Sequence, residues 1–362
     1  MTTKLNFARQ VSLKECMNLI DTVGREITIV IEGEPGCGKS TLLKMLRDRH
    51  GEKYDYIYFD APVKDMTDLG MYIPRHETGQ LEFYASSLFH LTSKKPKIIM
   101  IDEMFKTNKL MLTMLTRLCL EHYVGDTPLP EGSIVFATSN NASDGVGDNV
   151  QAHLGNRIMR VKLKKPDNVE WGVWATDNNV SVLTRAWAAM TPQAFHSYTT
   201  LTDAEANRNP YIFYPKRTQT SFVSPRSLYK NDFTVRNRHI LGEEVALAAM
   251  VGTIGQAGAE SMHAFFLIEK DLIPTREILK NPKRIPIPEN AGALLMILFN
   301  AADEITTQDE LSGFMEFVKR LPNKEWQSVF YTTICQAKKT VRLAKNNKEL
   351  SDWMLKNFYL FS

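Results

Sequence analysis

The chain has 362 residues, of which 43% are hydrophobic and 23% charged, an ordinary folding composition that excludes a low-complexity or disordered chain. At roughly 150 residues per domain the length suggests two or three domains. Its 44 basic and 41 acidic residues leave a net charge of +3, too balanced to point by itself to nucleic acid or a membrane surface. The four cysteines, Cys16, Cys37, Cys119 and Cys335, show no C-x-x-C pairing or metal spacing and read as reduced thiols. The opening "MTTKLNFARQ" lacks an apolar signal region, and no apolar run approaches about 18 residues; the expectation is a cytoplasmic protein without a membrane segment.

In chain order, residues 11–23 read as a helix and "EITIVI" as a buried parallel strand, its isoleucines alternating about Thr28 and Val30. "IEGEPGCGKST" follows, then "TLLKMLRDRH" with Leu42, Leu43 and Leu46 at helical spacing. Strand, glycine loop and helix, with Gly33-x-x-x-x-Gly38-Lys39-Ser40 between, fit a phosphate-binding loop. Gly33, Glu34, Pro35, Gly36, Cys37, Gly38, Lys39, Ser40 and Thr41 are thus the expected nucleotide-binding residues. In that pattern Lys39 reaches the β- and γ-phosphates and Ser40 holds Mg²⁺. Further strands are expected at 54–62, 95–103, 132–141 and 157–165, with a leucine- and methionine-rich core helix at 108–123. Strand and helix alternate, which predicts an α/β fold with a parallel sheet covered on both faces. Beyond Pro166 the pattern turns helical, interrupted by an aromatic and proline-rich linker at 209–227 and a break at 279–292. The expected division is an α/β core at 1–165, a helical lid at 166–304 and a helical C-terminal tail at 305–362.

Three further positions carry chemistry. The run "KPKIIMIDE" ends in Asp102-Glu103, about 60 residues beyond the loop. At a strand end beside that loop, Asp102 would reach the Mg²⁺ and Glu103 would orient the attacking water. Asn140 in "ATSNN" falls at the next strand's carboxyl end, where ligand groups gather in open parallel sheets. Arg157 begins the last expected strand, and Arg226 in "SPRS" lies at a helix start, with Ser224 as cap and Pro225 in the first turn. Each arginine offers fixed planar charge to a phosphoryl transition state.

This order of motifs resembles AAA+ ATPases, and within them the MoxR-like branch in its bacteriophage versions. The supporting stretches are "DLGMYIPRHETGQLEFYASS", 68–87, similar to that branch's hairpin insert, and "EHYVGDTPLPEGSIVFATSNN", 121–141, similar to its hairpin before the sensor-1 strand. The resemblance spans roughly residues 10–300. It implies an AAA+ P-loop parallel-sheet core, an all-helical lid and ATP hydrolysis with Mg²⁺. It makes Lys39 and Ser40 the phosphate and Mg²⁺ contacts, Asp102 the Mg²⁺ carboxylate, Glu103 the base, Asn140 sensor 1, Arg226 sensor 2 and Arg157 the arginine finger. Family members often read Asn-Pro after sensor 1 and Asp-Arg-Phe at the finger; here the chain has Asn140-Asn141 and Asn156-Arg157-Ile158, so Arg160 is a rival finger. The resemblance also implies a homo-oligomeric ring, usually of six subunits, that remodels protein clients, often with a partner carrying a von Willebrand A-type domain. Phe83 and Tyr84, placed at the tip of the first hairpin, suit gripping a polypeptide or packing the hairpin onto its own domain.

Rival readings are a nucleic-acid-associated ATPase such as a helicase loader, a P-loop kinase and a scaffold that only binds nucleotide. The first predicts a strong basic face, which +3 does not suggest; Glu103 speaks against the last. Cys37 inside the loop is either a reactive thiol or a small residue that fits. In "QAKKTVRLAKNNK", 336–348, Lys338, Arg342 and Lys345 are expected on one face of a tail helix, solvated or touching nucleic acid or an acidic partner.

Overall fold

The computed structural model describes residues 9–141, 156–269 and 272–360. By contact density the chain divides into two units, 1–166 with 214–217, and 167–213 with 218–362.

In the first unit, five parallel strands run in the order β2-β5-β8-β1-β9. They are β1 (Ile29–Glu32), β2 (Asp55–Asp60), β5 (Lys97–Asp102), β8 (Ile134–Ser139) and β9 (Met159–Lys162). Strands β1, β5 and β8 are buried along their whole length, which explains the apolar runs at 29–31, 98–101 and 134–137 where a half-solvated strand would alternate. On one face Ile29, Ile31, Ile98, Met100, Ile134 and Phe136 pack with α1 (Leu13–Val23) and α2 (Thr41–His50). On the other, Val30, Ile57, Phe59, Ile99, Ile101, Val135 and Ala137 pack with Met111, Leu115 and Leu118 of α3 (Lys109–Glu121). Ser12 caps α1 reciprocally with Glu15, so the helix starts two residues later than its periodicity alone suggests.

Two hairpins decorate this core. β3 (Gly70–Arg75) pairs antiparallel with β4 (Gln80–Ala85), and β6 (Tyr123–Val124) pairs with β7 (Thr127–Pro128). The tip of the first is His76–Gly79, so the placement of Phe83 and Tyr84 at the tip is corrected: both lie at the base of the returning strand. Phe83 packs against the core, its ring so close to Gly70 and Gly125 that a β-carbon on either would fall within 2.4 Å of it. Tyr84 is exposed. Tyr72 meets the Phe83 ring edge-on, and its hydroxyl donates to Asp126 at 2.7 Å, which ties the two hairpins together.

The second unit is helical among its described residues. Its long helix Pro225–Leu241 opens on a reciprocal cap between Ser224 and Ser227 with Pro225 in its first turn, the start that the sequence suggests. One apolar cluster joins Trp171, Leu183, Trp187, Leu228, Met250 and Leu295; a second joins Ile278, Leu294 and Leu298 to Leu311, Phe314, Phe330 and Tyr331. That second cluster runs through position 305, so the last helices share their core with the ones before them. The single basic helix expected at 336–348 is corrected: one helix ends at Gln336, the next spans Val341–Lys345, and Lys338 sits between them, its backbone N–H bonded to Asp177. Thr340, fully buried with its hydroxyl donating to the Ile334 carbonyl, helps turn the chain there. Among the described residues no helix is long and apolar enough to cross a membrane.

Candidate active site

The carboxyl ends of β1, β2, β5 and β8 converge, and the polar groups of the first unit gather there. β1 delivers the glycine loop. Gly36 and Gly38 have φ of 75° and 104°, conformations that a side chain disfavours, and a β-carbon on Gly38 would meet Leu13 at 3.2 Å. These turns let the backbone double back into α2, whose first N–H groups face the loop. Lys39 is buried, and its Nζ donates to the Gly33 carbonyl at 2.6 Å, the Glu34 carbonyl at 3.0 Å and Asn140 Oδ1 at 2.9 Å. One ammonium thus spans the loop and the end of β8. The lysine and asparagine that the sequence singles out separately are in direct contact.

Asp102 accepts from three hydroxyls: Ser40 Oγ at 3.2 Å, Tyr58 at 2.7 Å and Thr138 Oγ1 in a short bond. Thr138 is fully buried and also accepts from the Glu103 backbone N–H at 3.3 Å. Glu103 is in the left-handed region, φ 50°, where β5 breaks into the short turn Met104–Lys106, and its carboxylate pairs with Lys106 Nζ at 2.6 Å. That conformation turns the chain sharply after Asp102, so the two adjacent carboxylates leave the strand end in different settings. Asp60, paired with Asp102 in the strand register, has its carboxyl held above the usual range by burial and by the negative charges of Asp102 and Glu103.

The loop's base carries a second charge layer. Glu34 lies 3.7 Å from Lys165, both nearly fully buried, and Glu32 at the end of β1 pairs with Arg160, whose Nε donates at 2.6 Å. Cys37 is buried, and burial pushes its thiol up, the setting of an inert packing residue.

Of the expected residues, Gly33, Glu34, Pro35, Gly36, Cys37, Gly38, Lys39, Ser40, Thr41, Asp102, Glu103 and Asn140 come together in the first unit. Arg157 is exposed in the turn before β9. Its rival Arg160 is engaged with Glu32 on its own chain. Arg226 is exposed in the first turn of its helix in the second unit. Sequence reasoning missed Thr138, Tyr58, Asp60, Lys106 and Lys165. Thr138 had a legible signal, a hydroxyl two residues before the expected Asn140 on the same strand. The others depend on strand register and loop course.

Among the described residues no cluster of three His, Cys, Asp or Glu could hold a metal ion by itself. The hydroxyl of Ser40 and the carboxylate of Asp102, bonded to each other, are hard oxygen donors. They suit Mg²⁺, which takes one or two protein ligands and completes its shell with phosphate and water. Chemically, the arrangement offers a cation and backbone N–H groups for a polyphosphate, an oxygen pair for a divalent ion, and a carboxylate beside them.

Three comparisons bear on this site. Residues 29–127 match the family model described as the viral superfamily 1 RNA helicase core domain, about a quarter of the chain. No curated protein matches the chain. Among solved structures, the Thermotoga maritima RuvB K64R mutant is similar at 13% identity and TM-score 0.39, covering 83% of this chain and 86% of that one. The Thermotoga maritima RuvB Holliday junction branch migration motor is similar at 16% identity and TM-score 0.35, covering 75% of each chain. NtrX from Brucella abortus in complex with ADP is similar at 13% identity and TM-score 0.37, covering 98% of this chain and 70% of that one.

Proposed function

We propose that the chain is an AAA+ ATPase that hydrolyses Mg-ATP, of the MoxR-like kind, working as a homo-oligomeric ring that remodels protein clients. The observation that carries this reading is the constellation of Lys39, Asn140, Ser40, Asp102 and Glu103 on the carboxyl edge of a parallel sheet whose glycine-loop strand lies between β8 and β9. The two hairpins, at 70–85 and 123–128, support the MoxR-like assignment, since they fall where that resemblance expects them.

In this reading the loop N–H groups and Lys39 hold the β- and γ-phosphates, and Asn140 keeps Lys39 pointed across the loop. Ser40 and Asp102 would hold Mg²⁺, which when bound neutralises charge on the phosphates. Thr138 and Tyr58 fix the Asp102 carboxylate by donating to both of its oxygens. Glu103 orients a water for attack and accepts its proton, leaving Lys106 as it does so. Arg157, exposed on its own subunit, is the finger offered to the neighbouring subunit's nucleotide, and Arg226 takes the sensor-2 role that the resemblance assigns to it. A partner with a von Willebrand A-type domain would supply the client link.

The test is steady-state ATP hydrolysis by the full chain. Lys39→Ala loses nucleotide binding, whereas Glu103→Gln keeps binding and loses turnover. Arg157→Ala alone is inactive, but mixed with Glu103→Gln it regains activity, because the latter donates its arginine to a site with an intact base. A mixture that stays inactive removes the trans arrangement. Undiminished turnover in Glu103→Gln removes the hydrolytic assignment.

A second reading, a nucleic-acid-associated ATPase, is favoured by the helicase-core match over 29–127. It predicts turnover stimulated by RNA or DNA with a steep salt dependence.

A further inference from the structure

The phosphate loop contains an acidic residue, Glu34, whose carboxylate none of the roles above uses. Glu34 is 3% exposed, and its carboxylate stands 3.7 Å from Lys165 Nζ, itself buried. Its backbone carbonyl is one of the three acceptors of Lys39 at 3.0 Å. The segment carrying Lys165 lies against the loop: Leu163 N–H donates to the Glu32 carbonyl at 2.7 Å, and the Leu163 side chain would be 3.2 Å from a β-carbon on Gly33. A loop built to take a polyphosphate is an unfavourable place for a buried negative charge. A lone carboxylate there would repel the ligand and compete for Lys39.

We infer that Lys165 is a positioning residue of the nucleotide site: by pairing with Glu34 beneath the phosphate loop it cancels that carboxylate's charge, leaving Lys39 and the loop N–H groups to the polyphosphate. The inference rests on the nucleotide reading above. Burial pushes the Lys165 ammonium down while Glu34 and Cys37 act in the other direction, so its charge depends on the partner it neutralises. The pair is reciprocal. Losing the lysine leaves a carboxylate in the loop, whereas losing both charges leaves a neutral loop.

The experiment is binding of a fluorescent ATP analogue with Mg²⁺ to the full chain, by anisotropy, with folding of every variant checked by circular dichroism. Wild type binds; a wild-type chain that binds no nucleotide removes the underlying reading and this inference with it. With wild type binding, Lys165→Met weakens affinity on the order of tenfold or more, the scale of one charge contact at short range. Glu34→Gln/Lys165→Met returns to within about threefold of wild type, as does Lys165→Arg, which keeps the charge. Turnover of Lys165→Met at saturating ATP stays within about threefold, because the effect lies in binding and not in the chemical step. Should Lys165→Met fold poorly, Glu34→Gln is the second variant, expected to bind at least as tightly as wild type. The inference is overturned if the double variant binds as weakly as Lys165→Met, if Lys165→Met binds like wild type, or if Glu34→Gln weakens binding.

Discussion

Thr138→Val is the most informative single change in the core of the site. Valine keeps the shape of threonine but removes the hydroxyl that donates to Asp102 and accepts from the Glu103 N–H at 3.3 Å. Thr138 is fully buried, so no water replaces it there. A hydrogen bond to a charged group is worth about 1.5–3 kcal/mol, which sets the expected loss of stability near 2 kcal/mol. For a cooperative unit of this size that is a fall of about 4–8 °C in Tm. The same loss frees one Asp102 oxygen and the backbone at Glu103. Removing a group that orients a metal ligand typically costs 10–100-fold, so the Mg²⁺ concentration for half-maximal ATP turnover rises by at least about tenfold. The assay is differential scanning fluorimetry together with a Mg²⁺ titration of ATP hydrolysis. Thr138→Ser, which keeps the hydroxyl, is the control and stays close to wild type in both. A Thr138→Val protein that melts within about 1 °C of wild type, with an unchanged Mg²⁺ requirement, refutes the reasoning, because it would mean that the hydroxyl neither holds the carboxylate nor anchors the turn.

Other changes probe separate parts of the site. Asp60 has a native carboxyl held above its unfolded value of 3.8, so the folded state binds its proton to higher pH and loses stability as pH rises through that window. Asp60→Asn therefore raises Tm at pH 7, and the gain vanishes well below pH 3.8, where both states are protonated; melting curves across pH decide it. Gly38→Ala forces a side chain into φ 104° against Leu13, costing about 1–3 kcal/mol and distorting the loop; nucleotide binding by calorimetry should be lost while the fold persists. Lys106→Ala releases the Glu103 carboxylate from a partly exposed pair worth about 0.2–1 kcal/mol, so basal turnover rises by up to about fivefold; a fall in turnover would make Lys106 a contributor to catalysis instead.

The parallel sheet was legible because the runs "IIMI" and "IVFA" are apolar on both faces, and the glycine loop because its spacing carries its own chemistry. Ser224 marked a helix start, whereas Ser12, which caps α1, fell inside the helix expected from residue 11. The register was not legible. That Asp60 stands opposite Asp102, and that Tyr58 reaches it across the sheet, follows from which strands are neighbours, and β2 pairs with β5 although two other strands separate them along the chain. The aromatic pair at 83–84 was misplaced because the alternation of a hairpin gives its strands but not the position of its turn. Here the turn falls at residues 76–79, with Gly79 at φ 66°. The tail's cations were assigned to one helix because helical spacing continues across Ala337–Thr340, where the chain in fact turns. The Glu34–Lys165 pair joins residues 131 positions apart, and only the fold brings them together.

The central claim, a nucleotide-driven ring with Glu103 as the hydrolytic carboxylate, is tested most directly by the native mass of the full chain with and without Mg-ATP, for wild type and Glu103→Gln. Small species are expected without nucleotide and an assembly of about six subunits with Mg-ATP, transient in wild type and persistent in Glu103→Gln, which binds but does not hydrolyse. A monomer under every condition that still turns over ATP would contradict it.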